Sequence, residues 1–161
     1  MIVRPASAAD YASIAKVVEA AFERPDEARM VEAARAEGVV LVELVAEEAG
    51  EVAGHVMFSR MTSVPPRLMA GLAPLSVDPS VQSQGLGTAL GHAGVEACRA
   101  LGVEAIVVLG HPAYYPRFGF SAEAARNVAS PYAGRVSWMA MALAPGALDA
   151  PIRADYPAAF S

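Results

Sequence analysis

Apolar residues near the start of the chain recur at intervals of three and four, which is the spacing of one face of an α-helix. This face consists of Ile14, Val17, Val18, Ala21 and Phe22. Ser7 and Asp10 precede it in the pattern of a capping box, which predicts the beginning of the helix. A second helix with a weaker apolar stripe is predicted over residues 25–37, and Gly38 is placed to end it. A short strand at residues 2–4 is predicted to come first.

Runs rich in β-branched and other apolar residues follow, and they predict a sheet. Residues 39–46 and 52–61 are joined by a short acidic segment, the pattern of an antiparallel hairpin. Residues 68–77 form a further strand, which contains Pro74 although proline cannot donate a ladder hydrogen bond. Residues 105–109 are apolar throughout, which is typical of a strand buried on both faces.

Between these last two strands, apolar residues again recur at helical spacing, which predicts a helix from Leu86 to about Leu101. Gly91 and Gly94 lie in the middle of this helix, where each costs roughly 1 kcal/mol relative to alanine. We therefore expect another element to approach the helix closely at these glycines. A strand–helix–strand unit of this kind is expected to form a right-handed parallel crossover.

The remainder of the chain shows weaker periodicity. We predict a short helix over residues 114–118, a strand from Phe120 and a last strand at residues 135–143. Residues 144–161 contain three prolines and are predicted to form a tail that packs on the domain or trails from it. Strands and helices together indicate an α+β (α/β) fold. Residues 1–161 are assigned to a single domain because their number is typical of one domain.

Composition restricts the class of protein further. The formal net charge of −5 and the absence of a basic cluster oppose a nucleic-acid partner. No apolar run is long enough to cross a membrane, and the first residues lack the pattern of a signal peptide. Cys98 is the single cysteine, so an internal disulfide is impossible. We expect a cytoplasmic protein that binds neither nucleic acid nor membrane.

A glycine-rich segment stands between the predicted strand at 68–77 and the following helix. It reads Gln82, Ser83, Gln84, Gly85, Leu86, Gly87, Thr88. Backbone N–H groups of such a loop, together with those at a helix start, form a cradle for a phosphate anion. No lysine follows Gly87, which excludes a Walker-type loop, and Leu90 occupies the third small-residue position of a dinucleotide fingerprint.

A second motif follows the predicted strand at 105–109. It runs from Gly110 to Phe120 and reads GHPAYYPRFGF. With the Gln-x-x-Gly-x-Gly pattern at residues 82–87, it resembles the GNAT superfamily of N-acetyltransferases. It is especially similar to a bacterial subgroup with a Gly-x-Pro-x-Tyr-Tyr-x-Arg-Phe-Gly-Phe signature. The resemblance covers most of residues 1–143, and residues 72–120 carry its specific motifs.

The resemblance implies a GNAT fold, with a mixed sheet of about six to seven strands splayed at the cofactor site and about four helices. It also implies acetyl transfer from acetyl-CoA to a primary amine of a small molecule or peptide, without a metal. The diphosphate of coenzyme A would lie on the amides of Ser83 to Thr88, with Gln82 preceding them. Main-chain groups of Leu75, Ser76 and Val77 would bind the pantetheine arm and polarise the thioester. A homodimer is common among such proteins.

The same resemblance makes Tyr115 the general acid that protonates the leaving thiolate, because Tyr115 stands four residues before Gly119 and Phe120. Tyr114 is expected to point elsewhere, into the core or a wall of the acceptor site. The base is open: a water relay is our default, and His111 is the alternative. His55 is expected to face either the acceptor site or solvent.

Several other polar residues have simpler interpretations. Cys98 is expected to be a small buried side chain rather than a nucleophile. Glu19, Glu23, Asp26 and Glu27 lie where an acceptor pocket would form, although surface solvation explains them as well. Two alternative functions remain: a non-catalytic acyl-CoA-binding or regulatory module on the same fold, and a nucleotide-dependent oxidoreductase. Leu90 disfavours the latter.

Overall fold

The computed structural model describes residues 1–161. Three α-helices are present: α1 (Tyr11–Phe22), α2 (Asp26–Glu37) and α3 (Leu86–Ala100). Four short 3-10 turns cover Ala8–Asp10, Pro79–Val81, Tyr115–Phe118 and Ala158–Phe160. The predicted short helix over residues 114–118 is therefore one of these turns, which explains why three helices are found where about four were expected. None of the helices is both long and apolar enough to serve as a membrane span.

Eight strands form the sheet structure, one more than the largest number expected. They are β1 (Ile2–Pro5), β2 (Val40–Glu48), β3 (Glu51–Val64), β4 (Met69–Val77), β5 (Ala105–Leu109), β6 (Val128–Ala129), β7 (Trp138–Ala142) and β8 (Ile152–Asp155). The main sheet has the order β1-β2-β3-β4-β5-β7, and only β4 and β5 within it are parallel. The predicted α+β class and the β4–α3–β5 crossover are confirmed.

Helices cover both faces of this sheet. Helix α3 packs on one face through a core cluster that includes Phe58, Leu72 and Leu90. Helices α1 and α2 pack on the opposite face around Ile14, Val31 and other buried residues. The two faces follow from the period-2 alternation of β3, because neighbouring side chains of a strand point to opposite sides of the sheet.

Residues 144–161 do not trail from the sheet. Strand β8 pairs antiparallel with the end of β3 and parallel with β6. The backbone N–H of Ala159 then donates to Glu37 Oε1 at 2.9 Å, so that the last 3-10 turn is held against α2. The expected strand from Phe120 is reduced to one bridge between Ser121 and Ala140.

Strands β4 and β5 diverge soon after they meet. Their parallel pairing covers only residues 69–71 of β4 and 105–107 of β5. Beyond Gly71, β4 continues to Val77 paired only with β3, and its register with β3 shifts between Val56 and Phe58. Pro74 lies in this diverging part, where the proline's missing N–H removes no β4–β5 ladder bond. The result is a V-shaped opening in the middle of the sheet.

The glycines of α3 allow the close approach predicted from the sequence. A Cβ atom built at Gly91 would lie 2.3 Å from the Phe118 ring, and one built at Gly94 would lie 2.1 Å from Cε1 of Phe58. Both phenylalanines are buried. The low helix propensity of these glycines is therefore offset by packing that a larger residue would prevent.

We expect Gly94→Ala to lower the free energy of unfolding by up to about 2 kcal/mol. The substitution gains roughly 1 kcal/mol of helix propensity, but overpacking against Phe58 typically costs ~1–3 kcal/mol. Urea unfolding measures the difference. Glu96→Ala, on the exposed side of the same helix, is the control and should change stability by a few tenths of a kcal/mol. A Gly94→Ala variant more stable than the parent would contradict the close packing.

Candidate active site

A cleft of about 650 Å³ opens at the V between β4 and β5. Its walls are the end of β4, the loop before α3, the first turn of α3 and the segment after β5. Hereafter it is called the main cleft. The sequence predicts chemistry at these same segments, and the fold brings them together because α3 carries the chain from the end of β4 back to the start of β5.

The loop before α3 exposes backbone N–H groups. Ser83 and Gly85 have positive φ angles of 68° and 86°, and Gly85 immediately precedes α3. The first turn of α3 contains no acidic side chain, so its positive dipole end is not neutralised locally. The Gln82 side-chain amide donates to the Val77 carbonyl at 3.0 Å, which ties the loop to the end of β4. This arrangement fits a phosphate-bearing ligand.

Tyr115 lies on the opposite wall of the main cleft, in the 3-10 turn after β5. Its ring packs against Gly110, where a Cβ atom would come within 2.3 Å of the ring. Burial, with a smaller contribution from the adjacent Tyr114, raises the pKa of the Tyr115 phenol to about 12. The phenol is therefore protonated at neutral pH and available as a proton donor.

Tyr114 also lines the main cleft, on the α3 side. A Cβ atom at Gly87 would lie 2.6 Å from the Tyr114 hydroxyl, so the two residues are in close contact. The guanidinium of Arg117 stacks 3.9 Å from the Tyr114 ring centroid, and Arg117 Nε donates to the Tyr114 carbonyl at 2.8 Å. Arg117 Nη1 also reaches Thr88 Oγ1 at 3.4 Å. An exposed cation thus stands beside the glycine loop.

Most of the residues proposed from the sequence line the main cleft. They are Leu75, Val77, Gln82, Ser83, Gly85, Leu86, Gly87, Thr88 and Tyr115. Ser76 and Gln84 do not, and the Ser76 side chain is buried. Side chains alternate along β4, so the Ser76 side chain points away from the cleft while those of Leu75 and Val77 line it. The proposed contribution of Ser76 is from its main chain and does not need the side chain. His111, Tyr114 and Arg117 line the cleft as well.

Two of these three residues, Tyr114 and Arg117, were not assigned to the cofactor from the sequence. Tyr114 packs against the core cluster under α3, as one of its two expected roles requires, and it also contacts Gly87 at the start of α3. The position of Arg117 two residues after Tyr115 was visible, but the turn that brings its side chain to Thr88 was not.

A second, smaller cavity adjoins the main cleft and is called the side cavity. Its volume is about 340 Å³, and it shares Leu75, His111 and Tyr115 with the main cleft. Of the four acidic residues considered for an acceptor pocket, only Glu27 lines it. Phe22, expected in the core, is 38 % exposed at this cavity.

Residues 10–120 match the model of the acetyltransferase (GNAT) family. This span is more than half of the chain. The chain belongs to the GNAT acetyltransferase family.

Individual relatives agree with this assignment. The uncharacterized N-acetyltransferase YhbS of Escherichia coli K12 is 34% identical over 139 residues, which are 85% of this chain and 83% of YhbS. A crystal structure of YhbS in complex with CoA matches with a TM-score of 0.91 and 31% identity, covering 99% of this chain and 91% of that one. A GNAT acetyltransferase from Brucella melitensis, in complex with acetyl-CoA, matches with a TM-score of 0.84 and 32% identity over 99% of this chain and 97% of that one. The predicted GNAT fold is confirmed.

His55 of this GNAT protein faces neither the acceptor site nor solvent. Its side chain is fully buried, and Nε2 lies 2.9 Å from Glu43 Oε2. Glu43 also accepts two hydrogen bonds from Arg35. Burial raises the pKa of the Glu43 carboxyl, but the hydrogen bonds from His55 and Arg35 outweigh it and hold that pKa below its ordinary value. Burial lowers the pKa of His55 because the charged imidazolium would lose its hydration, and this outweighs the opposing effect of Glu43; the charge of Arg35 lowers the pKa slightly further.

The free energy of unfolding should therefore fall as the pH is lowered below about 6.5, by no more than about 1.4 kcal/mol per pH unit. There His55 binds a proton in the unfolded chain, while in the folded chain its lowered pKa delays protonation to lower pH. Glu43 does not titrate near this pH because its pKa is lowered. Urea unfolding at several pH values measures the slope. His55→Gln, which keeps a hydrogen-bond donor for Glu43, should flatten it, and an unchanged slope in this variant would contradict the assignment.

Cys98 is fully buried, and burial raises the pKa of its thiol to about 12. The expected role as a buried apolar side chain is confirmed. Glu104 directly precedes β5, at the opposite end of this strand from Tyr115. It forms an ion pair with Arg67 and accepts a hydrogen bond from the Leu68 backbone N–H. The structure contains no group of three or more side chains arranged to hold a metal ion.

Proposed function

We propose that this protein is an acetyl-CoA-dependent N-acetyltransferase that forms a ternary complex with a primary amine. The observation that carries the proposal is the main cleft, in which the amide-rich loop before α3, the unpaired edge of β4 and Tyr115 face one another. The CoA and acetyl-CoA complexes of the two similar proteins described above support it.

The loop is the proposed binding site for the diphosphate of coenzyme A. N–H groups from Ser83 to Thr88, at the positive end of α3, are suited to a diphosphate. Arg117 places a positive charge beside Thr88 and would give the diphosphate a charge-assisted contact that the amides alone do not provide. Gly87 leaves the space between Val77 and Tyr114 free of a side chain.

The edge of β4 beyond Gly71 is the proposed binding site for the pantetheine arm. Pantetheine contains amide groups, which can pair with an unpaired strand edge as a peptide does. Main-chain groups of residues 75–77 lie on this edge, next to Tyr115. A backbone N–H that donates to the thioester oxygen would stabilise the developing negative charge, by roughly 3–4 kcal/mol at comparable oxyanion sites.

Tyr115 is the proposed general acid. The amine nitrogen attacks the thioester carbonyl carbon, the carbon–sulfur bond breaks, and the Tyr115 hydroxyl donates its proton to the departing sulfur. The raised pKa keeps Tyr115 protonated at neutral pH but also makes it a weaker acid than a free phenol, so the transfer depends on the negative charge that develops on the sulfur beside it. Before the attack, the acceptor ammonium loses one proton to water, directly or through His111, which lines both cavities. After the attack, the nitrogen loses a second proton, which returns through water to the Tyr115 oxygen and restores the phenol.

Calorimetric titration with CoA, followed by assays of CoA release from acetyl-CoA in the presence of primary amines, tests the proposal. We expect CoA to bind and amines to accelerate its release. Absence of CoA binding to the folded protein would overturn the whole proposal. Binding without transfer to any amine would overturn the enzymatic part and leave the acyl-CoA-binding module.

Arg117→Gln should weaken CoA binding by about three- to tenfold, because a charge-assisted contact contributes roughly 1 kcal/mol at an exposed site. The same titration measures the effect, and the loss should diminish as salt concentration rises. Arg126→Gln is the matched control, since Arg126 is exposed, lies outside the main cleft and pairs with Glu123. Equal affinities for the two variants would remove Arg117 from the binding site.

A further inference from the structure

The side cavity has a position that fits an acyl acceptor. It is bounded by the end of α1, by α2, by β4 where this strand leaves β5, and by the last 3-10 turn. Leu75, His111 and Tyr115 lie on the boundary that it shares with the main cleft. A molecule bound in the side cavity therefore lies next to Tyr115, where the thioester is attacked if the proposed function is correct.

The walls of the side cavity are mainly apolar. Phe22 and Leu109 each keep 38 % of their surface exposed there, and Met30, Pro74 and Phe160 complete the lining. Apolar contact with these side chains contributes roughly 25 cal/mol per Å² that is removed from water. Hydroxyl and additional ammonium groups would lose water against the same walls without gaining hydrogen bonds.

Glu27 supplies the only carboxylate of the side cavity. Its residue is 8 % exposed, and hydrogen bonds from Arg24 lower the pKa of its carboxyl, so it is ionised at neutral pH. Arg24 is mostly exposed and does not line the cavity. Both carboxylate oxygens of Glu27 already accept hydrogen bonds from Arg24. The cavity thus presents a paired carboxylate within apolar walls, whose remaining lone pairs can accept hydrogen bonds from one ammonium group.

The volume limits the size of the occupant. A cavity of about 340 Å³ has room for about eleven water molecules at ~30 Å³ each. One aromatic ring or branched alkyl group on a short amine fills such a space. An aminoglycoside would exceed this space and leave most of its polar groups outside. A polyamine such as spermidine would fit by volume, but its additional ammonium groups would lie against apolar walls.

We propose that the acceptor is a small monoamine with a single apolar group, aromatic or branched aliphatic, bound in the side cavity with its ammonium attracted by Glu27. This proposal rests on the proposed function and specifies its substrate class. Glu27 acts on binding of the ammonium form, so its loss affects KM more than kcat.

Initial rates of CoA release from acetyl-CoA should be compared for phenylethylamine, isoamylamine, spermidine, kanamycin and a lysine-containing peptide. We expect kcat/KM for the first two to exceed the others by at least about tenfold. Glu27→Gln should raise KM for phenylethylamine about tenfold with little change in kcat. Phe160→Ala should raise KM more for phenylethylamine than for isoamylamine. Asp155→Asn is the matched control, because Asp155 also pairs with an arginine but lies outside both cavities.

CoA affinity, measured for each variant, shows whether the protein is folded and its main cleft intact, independently of any effect on the acceptor. Faster turnover of spermidine, kanamycin or the peptide would overturn the acceptor class and leave the transferase intact. If hexanoyl-CoA binds about tenfold more tightly than acetyl-CoA and Phe160→Ala removes this preference, the side cavity holds an acyl chain and the acceptor proposal is wrong. Failure of CoA itself to bind would instead overturn the proposed function.

Discussion

Tyr115→Phe is expected to lower kcat about 100-fold, within the range typical of losing a general acid, while CoA affinity changes little. The substitution removes only the hydroxyl and keeps the ring that packs against Gly110. Because the pKa of Tyr115 is raised to about 12, the parent enzyme should keep its kcat as the pH rises from about 7 to about 10. We expect kcat to fall through deprotonation of Tyr115 only at still higher pH. Steady-state rates with acetyl-CoA and an amine measure both effects.

Tyr11→Phe is the matched control, because Tyr11 is exposed and lines neither cavity. Its kcat should equal that of the parent. Should Tyr115→Phe turn over like the parent between these pH values, the proton on sulfur has another source and Tyr115 is only a packing residue.

Gly87→Ala is expected to weaken CoA binding about 10- to 100-fold. The added Cβ would lie 2.6 Å from the Tyr114 hydroxyl and 3.5 Å from Val77 Cγ2, inside the main cleft. Overpacking of this kind costs ~1–3 kcal/mol, and here it displaces the wall against which the diphosphate is proposed to lie. Calorimetric titration with CoA measures the loss, and thermal unfolding checks that the protein remains folded.

The companion variant Gly87→Ala with Tyr114→Phe separates the clash with Tyr114 from a direct clash with the ligand, because Gly87 lies in α3 and has no positive φ angle. Removing the Tyr114 hydroxyl removes the closest contact of the new Cβ, so part of the CoA affinity should return. No recovery would mean that the Cβ itself occupies space that CoA needs, and unaltered binding in the single variant would place CoA elsewhere.

The linear sequence was sufficient for the elements that depend on local patterns. The Ser7–Asp10 capping box is present, with the Ser7 N–H donating to Asp10 Oδ2 at 2.8 Å. Gly38 ends α2 with a φ of 75°. These predictions succeeded because capping and left-handed backbone conformations are decided within a few residues.

Other features depended on contacts between distant segments. Strands β6 and β8 were not predicted, since Val128–Ala129 and Ile152–Asp155 are short and are stabilised by each other and by β3. The orientation of Tyr114 toward Gly87 required the turn after β5 to be placed against α3. The sequence left His55 facing either the acceptor site or solvent, and only its pairing with Glu43 across β2 and β3 identified it as structural.

By itself the sequence determined the family, the glycine loop and the spacing of Tyr115 from Gly119, because these are properties of contiguous residues. Only the tertiary structure decided that β4 leaves β5 after Gly71, that Arg117 reaches Thr88 and that Glu27 and Phe160 line one cavity. The physical reason is that strand divergence and cavity walls arise from packing between residues far apart in the chain, and a local pattern carries no information about which distant side chains will meet.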